Sequence, residues 1–190
     1  MIAVTRRATL GGALLALSAC ASMRDPAPGV LRIGSGFDVT LTRVWSDFTP
    51  SDARGMRLIS IDGPTLNRLY LAGGLKPGEG LSARKPESHA PFHAGMSRED
   101  LIAFVLDSVD ALGFARPETA SAHAAKFGAA DGLRIDMETR TGDGLEFSAT
   151  ALIAEHAGRL NVILYLAARE HYYAATLPDV EAIMASAVLR

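Results

Sequence analysis

Between Leu133 and Ala168 the chain writes out three strands and the two turns that join them. Leu133, Ile135 and Met137 alternate with Arg134, Asp136 and Glu138, the period-two pattern of a strand with one apolar and one polar face. Thr141-Gly142-Asp143-Gly144 is turn chemistry, and the chain returns over Leu145–Ala154. Ala157-Gly158 is a second tight turn, after which Leu160–Ala168 (LNVILYLAA) returns again. Three consecutive strands with turns this short form an antiparallel meander, because parallel pairing needs a long crossover. The last strand is apolar almost throughout, so it belongs at the centre of a sheet covered on both faces.

The N-terminal half follows the same logic less regularly. Phe37, Val39 and Leu41 alternate with Asp38, Thr40 and Thr42, and Thr49-Pro50-Ser51-Asp52 interrupts. Met56–Ile61 and Leu66–Ala72 read as a hairpin around Asp62-Gly63-Pro64-Thr65. Gly73–Gly95 reads as a long irregular segment, a length that marks functional or mobile loops. Ser97 is a strong N-cap with Glu99 and Asp100 behind it. Leu101, Phe104, Val105, Ser108, Val109 and Leu112 then make one helical stripe that Gly113 ends. Residues 117–127 (PETASAHAAKF) read as a short second helix after Pro117, and Pro178 as the start of a closing helix with the stripe Val180, Ile183, Met184, Ala187.

Strands, helix, strands, helix predict an α+β fold: an antiparallel sheet of about five to six strands with helices packed on it. In element order and in its closing helix, the stretch 37–190 resembles the PsbP-like fold of small photosystem extrinsic subunits and nuclear-import factors. The resemblance rests on that order and on no sequence motif. It implies a domain that binds proteins and does not catalyse.

The N-terminus carries an address. Arg6 and Arg7 precede an eight-residue apolar run (Leu10–Leu17) and the small residues Ser18 and Ala19, the layout of an export signal. That run is far too short to cross a hydrocarbon core of about 30 Å. Cys20 is the only cysteine in 190 residues, so no intrachain disulfide can form. Leu17-Ser18-Ala19-Cys20 resembles the lipobox of bacterial lipoproteins, which implies cleavage before Cys20 and acylation of it. Thr5-Arg6-Arg7-Ala8-Thr9-Leu10 resembles a twin-arginine export motif but departs from it at Thr9 and Gly11, so that route and the general secretory one both remain open. Ala21, where an aspartate would signal inner-membrane retention, implies the outer membrane, facing the periplasm.

Three segments follow: a signal peptide over 1–19, a lipidated tether over 20–36 rich in proline and glycine, and one α+β domain over 37–190. Removing residues 1–19, which hold Arg6 and Arg7 and no acid, takes the net charge from −2 to −4. No basic run or aromatic-basic interleaving points to nucleic acid.

The search for chemistry yields little. His89 and His93 have i, i+4 spacing, but Pro91 between them opposes a helix and no glutamate follows His89, so they read as a solvated loop. His123 and His156 read as surface residues. No nucleophile elbow or phosphate-cradling loop is present, and nothing calls for a metal or cofactor. Arg169-Glu170-His171-Tyr172-Tyr173 is the densest polar-aromatic cluster, and His171, Tyr172 and Tyr173 are the partner-binding candidates. The other reading of that cluster is a strand end whose tyrosines cover the closing helix.

Two functions fit: a non-catalytic envelope lipoprotein that binds a protein partner, or a lipoprotein holding a small apolar or lipidic ligand between sheet and helices under the 73–95 loop. Both depend on the tether at Cys20. Replacing Cys20 by Ser removes the thiolate that accepts the lipid. Metabolic labelling with a palmitate analogue should tag the wild type and not the variant, with the variant leaving the membrane fraction or persisting as precursor. Equal labelling of both, or none of the wild type, overturns the lipoprotein reading.

Overall fold

The computed structural model describes residues 26–53, 55–81 and 91–190. Cys20, the segment before it, and His89 lie outside the described residues. Among the described residues ten strands and two α-helices follow one another. They are β1 (Gly29–Ile33), β2 (Phe37–Leu41), β3 (Ser46–Asp47), β4 (Met56–Ser60), β5 (Asn67–Leu75), α1 (Arg98–Ala111), β6 (Ala115–Phe127), β7 (Ala130–Arg140), β8 (Glu146–His156) and β9 (Arg159–Ala168). A π-helical turn, Arg169–Tyr173, leads into α2 (Ala174–Ala185), and β10 (Val188–Leu189) closes the chain.

Seven strands form one antiparallel sheet in the order β3-β4-β5-β9-β8-β7-β6, and β1-β2-β10 form a small second one. The fold is α+β and antiparallel, with more strands than the five to six expected. The predicted meander is β7-β8-β9. Its second turn has Ala157 and Gly158 both at positive φ (51° and 70°), the mirror-image geometry that matches strand twist.

β9 is fourth of seven, the central strand. Leu160, Val162, Leu164, Leu166 and Ala168 pack on the α1 side. Ile163, Tyr165 and Ala167 pack on the other, beneath α2 and the small sheet. The order of layers is therefore α1, large sheet, then α2 with the small sheet. α1 begins with a reciprocal cap: the Asp100 amide donates to Ser97 Oγ (3.1 Å) and the Ser97 amide to Asp100 Oδ2 (3.0 Å). Phe104, Val105, Ser108 and Val109 are its buried stripe.

Four local readings need correction. Residues 29–33, read as part of the tether, pair with β2, and Ile33 is fully buried, so ordered pairing starts before Phe37. Of the residues that suggested a linker, Pro26 and Pro28 precede this strand, Gly29 opens it, and Gly34 and Gly36 form its turn. Residues 117–127 are strand, not helix: alanine favours a helix, but this stretch has no apolar stripe to bury, and pairing with β7 satisfies the backbone groups on its inner side. Pro178 lies inside α2, which starts four residues earlier, because the docked tyrosine turn winds the chain before the proline is reached. Pro178 is on the exposed side.

Gly73 and Gly74 belong to β5 rather than to a loop. They form a bulge against β9, and the Gly34-Ser35-Gly36 turn of the small sheet rests directly on it. A Cβ at Gly73 would stand 2.1 Å from the Ile33 carbonyl oxygen, and one at Gly36 2.0 Å from Asn161 Oδ1. That oxygen accepts from the Gly74 amide at 3.0 Å. The two sheets thus meet backbone to backbone, where no side chain fits. Gly73→Ala and Gly36→Ala should each lower stability by about 2–3 kcal/mol in urea unfolding. Gly142→Ala, with open space around its Cβ, should change it little.

Candidate functional site

Among the described residues, three places offer more than core packing. The first is the turn that carries the predicted residues His171, Tyr172 and Tyr173. Register places Ser121, Asp136, Thr150 and Tyr165 side by side across β6, β7, β8 and β9 on the α2 face. Thr150 Oγ1 donates its single proton to Asp136 Oδ1 (2.6 Å). The Tyr173 hydroxyl, 2.5 Å from Thr150 Oγ1, must therefore be the donor in that pair. Ser121 Oγ donates to Asp136 Oδ2 (2.9 Å) and Arg134 Nε to Oδ1 (3.1 Å). Arg134 also reaches Glu181 of α2 (3.1 Å).

The ring of Tyr173 stacks on Tyr165 with centroids 5.5 Å apart, and the Tyr165 hydroxyl donates to the Tyr172 carbonyl (3.2 Å). Arg169, at the other end of the turn, pairs with Glu138 (3.3 Å) and with Glu146. The turn is pinned at both ends. Between them His171 is exposed, at φ 68° and ψ −48°, near the rare classical γ-turn geometry. Tyr172 and Tyr173 are half-buried and engaged with the core, and His171 stands apart from the polar row.

These contacts set protonation. Burial would raise the Asp136 carboxyl, but hydrogen bonds from Thr150 and Ser121 and the Arg134 charge more than offset it and hold it below its ordinary value. Burial pushes both the Tyr165 and Tyr173 hydroxyls up, so they stay neutral donors. The chemistry available is positioning: Thr150 and Tyr165 bond the turn directly, and Asp136, Ser121 and Arg134 hold Thr150 in place behind them. Asp136 and Thr150 escape a linear reading because they are fourteen residues apart, and only the strand register makes them neighbours.

The second place is a cavity of about 430 Å³ on the α1 face. Met56, Leu58, Tyr70, Leu75 and Leu81 form its apolar walls, the end of α1 (Ala111, Leu112) its roof, and Arg68 is the one cation among its lining residues. The third is the free margin of β6, the last strand of the large sheet. Of the remaining histidines, His93, His123 and His156 are exposed and lie on different elements. Among the described residues no cluster of histidine, cysteine and carboxylate side chains could hold a metal ion, and no helix is long and apolar enough to cross a membrane.

No protein-family model matches the chain, and no curated protein matches it. Among solved structures, the solution structure of cyanobacterial PsbP (CyanoP) from Synechocystis sp. PCC 6803 is similar, with a TM-score of 0.55. The match covers 92% of this chain and 99% of that one at 12% identity. That likeness establishes the PsbP-like fold that element order had suggested.

The polar row makes a pH-dependent contribution. Because the folded Asp136 value lies below the model-peptide value of 3.8, its contribution is present above that pH and is lost as pH falls through the folded value. In urea unfolding Asp136→Asn should be less stable than wild type at pH 7. The gap should close as the pH is taken well below 3.8.

Proposed function

We propose that this chain is an envelope lipoprotein, cleaved before Cys20, acylated there and held on the periplasmic side of the outer membrane, whose PsbP-like domain binds a protein partner and does not catalyse. The lipobox-like LSAC block supports the anchor, and the fold likeness supports an accessory domain. The observation that carries the partner reading is the free margin of β6.

β6 runs thirteen residues, pairs with β7 on one side, and among the described residues has no strand on the other. Bulges interrupt its first half, whereas residues 121–127 keep unbroken register with β7. The two-residue turn after Phe127 makes Phe127 and Ala130 a hydrogen-bonded pair, so the backbone groups of Ala122, Ala124 and Lys126 point outward. Arg98 of α1 already uses this margin, donating to the Ala122 carbonyl. An extended segment of a partner can add there as an eighth strand, taking its affinity from main-chain hydrogen bonds. His171, exposed on its pinned turn, is the second candidate contact, and Tyr172 and Tyr173 would act by holding it in place.

The test is crosslinked pull-down from solubilised envelopes with the wild-type chain and two variants. Ala124→Pro removes an outward amide without taking a bond from the β6–β7 ladder. Wild type should recover one specific protein and Ala124→Pro about tenfold less of it, the equivalent of about 1.4 kcal/mol. Undiminished recovery by Ala124→Pro with loss in His171→Ala would move the docking surface to the 169–173 turn. Nothing above background with wild type overturns the partner reading.

A further inference from the structure

We infer that the cavity on the α1 face is a binding site for a single-chain amphiphile with an anionic headgroup, such as a fatty acid, whose head pairs with Arg68. This goes beyond the partner reading and does not depend on it.

The space exists for a geometric reason. Seven strands at about 4.8 Å spacing make a sheet about 29 Å wide, whereas a helix with its side chains is about 10–12 Å across. α1 therefore covers only part of its face. Its N-terminal end lies at the β6 margin, where Arg98 meets Ala122, and its other end stops over β5. Beyond that end Met56, Leu58, Tyr70 and Leu75 line a hollow of about 430 Å³ instead of packing on a helix. Phe48 and Pro50 come from the segment after β3, and Leu81 from the one after β5. The volume lies within the roughly 300–1,000 Å³ of small-molecule sites, and its wall is mostly apolar with two charged residues, Arg68 on β5 and the exposed Asp52 at the rim, a few polar groups being how such sites orient an amphiphile.

Arg68 supplies the charge. Its guanidinium sits 4.8 Å from the centroid of the Phe114 ring, with Nε donating to the Pro64 carbonyl and one terminal nitrogen 3.5 Å from the Tyr70 hydroxyl. These contacts fix the group in place and use two of its five N–H donors. Among the described residues no carboxylate pairs with it, whereas Arg57, Arg134 and Arg169 each have one or two. At the nearby end of α1 the carbonyls of Ser108, Val109 and Asp110 are taken by the amides of Leu112, Phe114 and Gly113. An orientated cation with free donors beside apolar walls matches a carboxylate followed by an alkyl chain.

The full 190-residue chain, purified without detergent, is titrated with 11-(dansylamino)undecanoic acid, whose fluorescence rises on leaving water. Myristate and methyl myristate then compete for the site. One saturable site is expected, with myristate displacing the probe at about tenfold lower concentration than its ester. Arg68→Gln should abolish that preference while leaving the ester unchanged, and Arg68→Lys should retain part of it. Met56→Trp, which fills the hollow, should remove binding of both, with circular dichroism confirming that each variant is folded. No saturable binding, equal displacement by acid and ester, or wild-type behaviour in both Arg68→Gln and Met56→Trp overturns the proposal. The pull-down with Ala124→Pro reads a different surface, so either inference can fail alone.

Discussion

Burial of β9 on both faces is the constraint from which the rest of the architecture follows. Leu160, Val162, Ile163, Leu164 and Leu166 are all fully buried. At about 1.5–3 kcal/mol per fully buried aliphatic side chain, these five contribute on the order of 10 kcal/mol. That gross gain is as large as the whole net stability of a typical domain, about 5–15 kcal/mol. A strand with apolar residues on both sides cannot lie at an edge or under a single layer. It requires neighbours on both flanks, supplied by β5 and β8, and covers on both faces, supplied by α1 and by α2 with the small sheet.

One polar residue interrupts this strand, and it locates the small sheet. Asn161 is buried and offers its side-chain oxygen to the amide of Gly74, at the bulge where the Gly34-Ser35-Gly36 turn lands. A buried amide left unsatisfied costs about 1–3 kcal/mol, so this hydrogen bond couples the register of β5 and β9 to the docking of β1 and β2. Glycine is needed on both backbones because each approaches within the space a Cβ would fill.

The two faces of the sheet solve their coverage differently. On the α2 side the outer strands turn polar, and the row Ser121, Asp136, Thr150 meets the tyrosine turn in hydrogen bonds instead of apolar contact. On the α1 side the polar outer half has no counterpart, and one short helix leaves β4 and β5 roofed by connecting segments. The row rigidifies the turn that presents His171. The hollow is what remains when an apolar surface is wider than the element laid on it.

By itself the sequence determined the class of the fold and its central element. The alternation of β7, the turns around Gly142 and Gly158, and the unbroken apolar run of β9 are local patterns, and local patterns survive without knowledge of what packs where. The α1 stripe and its Ser97 cap were legible for the same reason. Tertiary structure decided the rest. Whether residues 117–127 became helix or strand depended on β7 being there to pair with them, and whether Gly73 and Gly74 were loop or bulge depended on a turn forty residues earlier. Asp136 and Thr150 became partners only through register, and Arg68 came to stand at the edge of a cavity, with no carboxylate partner among the described residues, only through where α1 ends. Pairing and coverage are relations between distant segments, and no window along the chain contains both members.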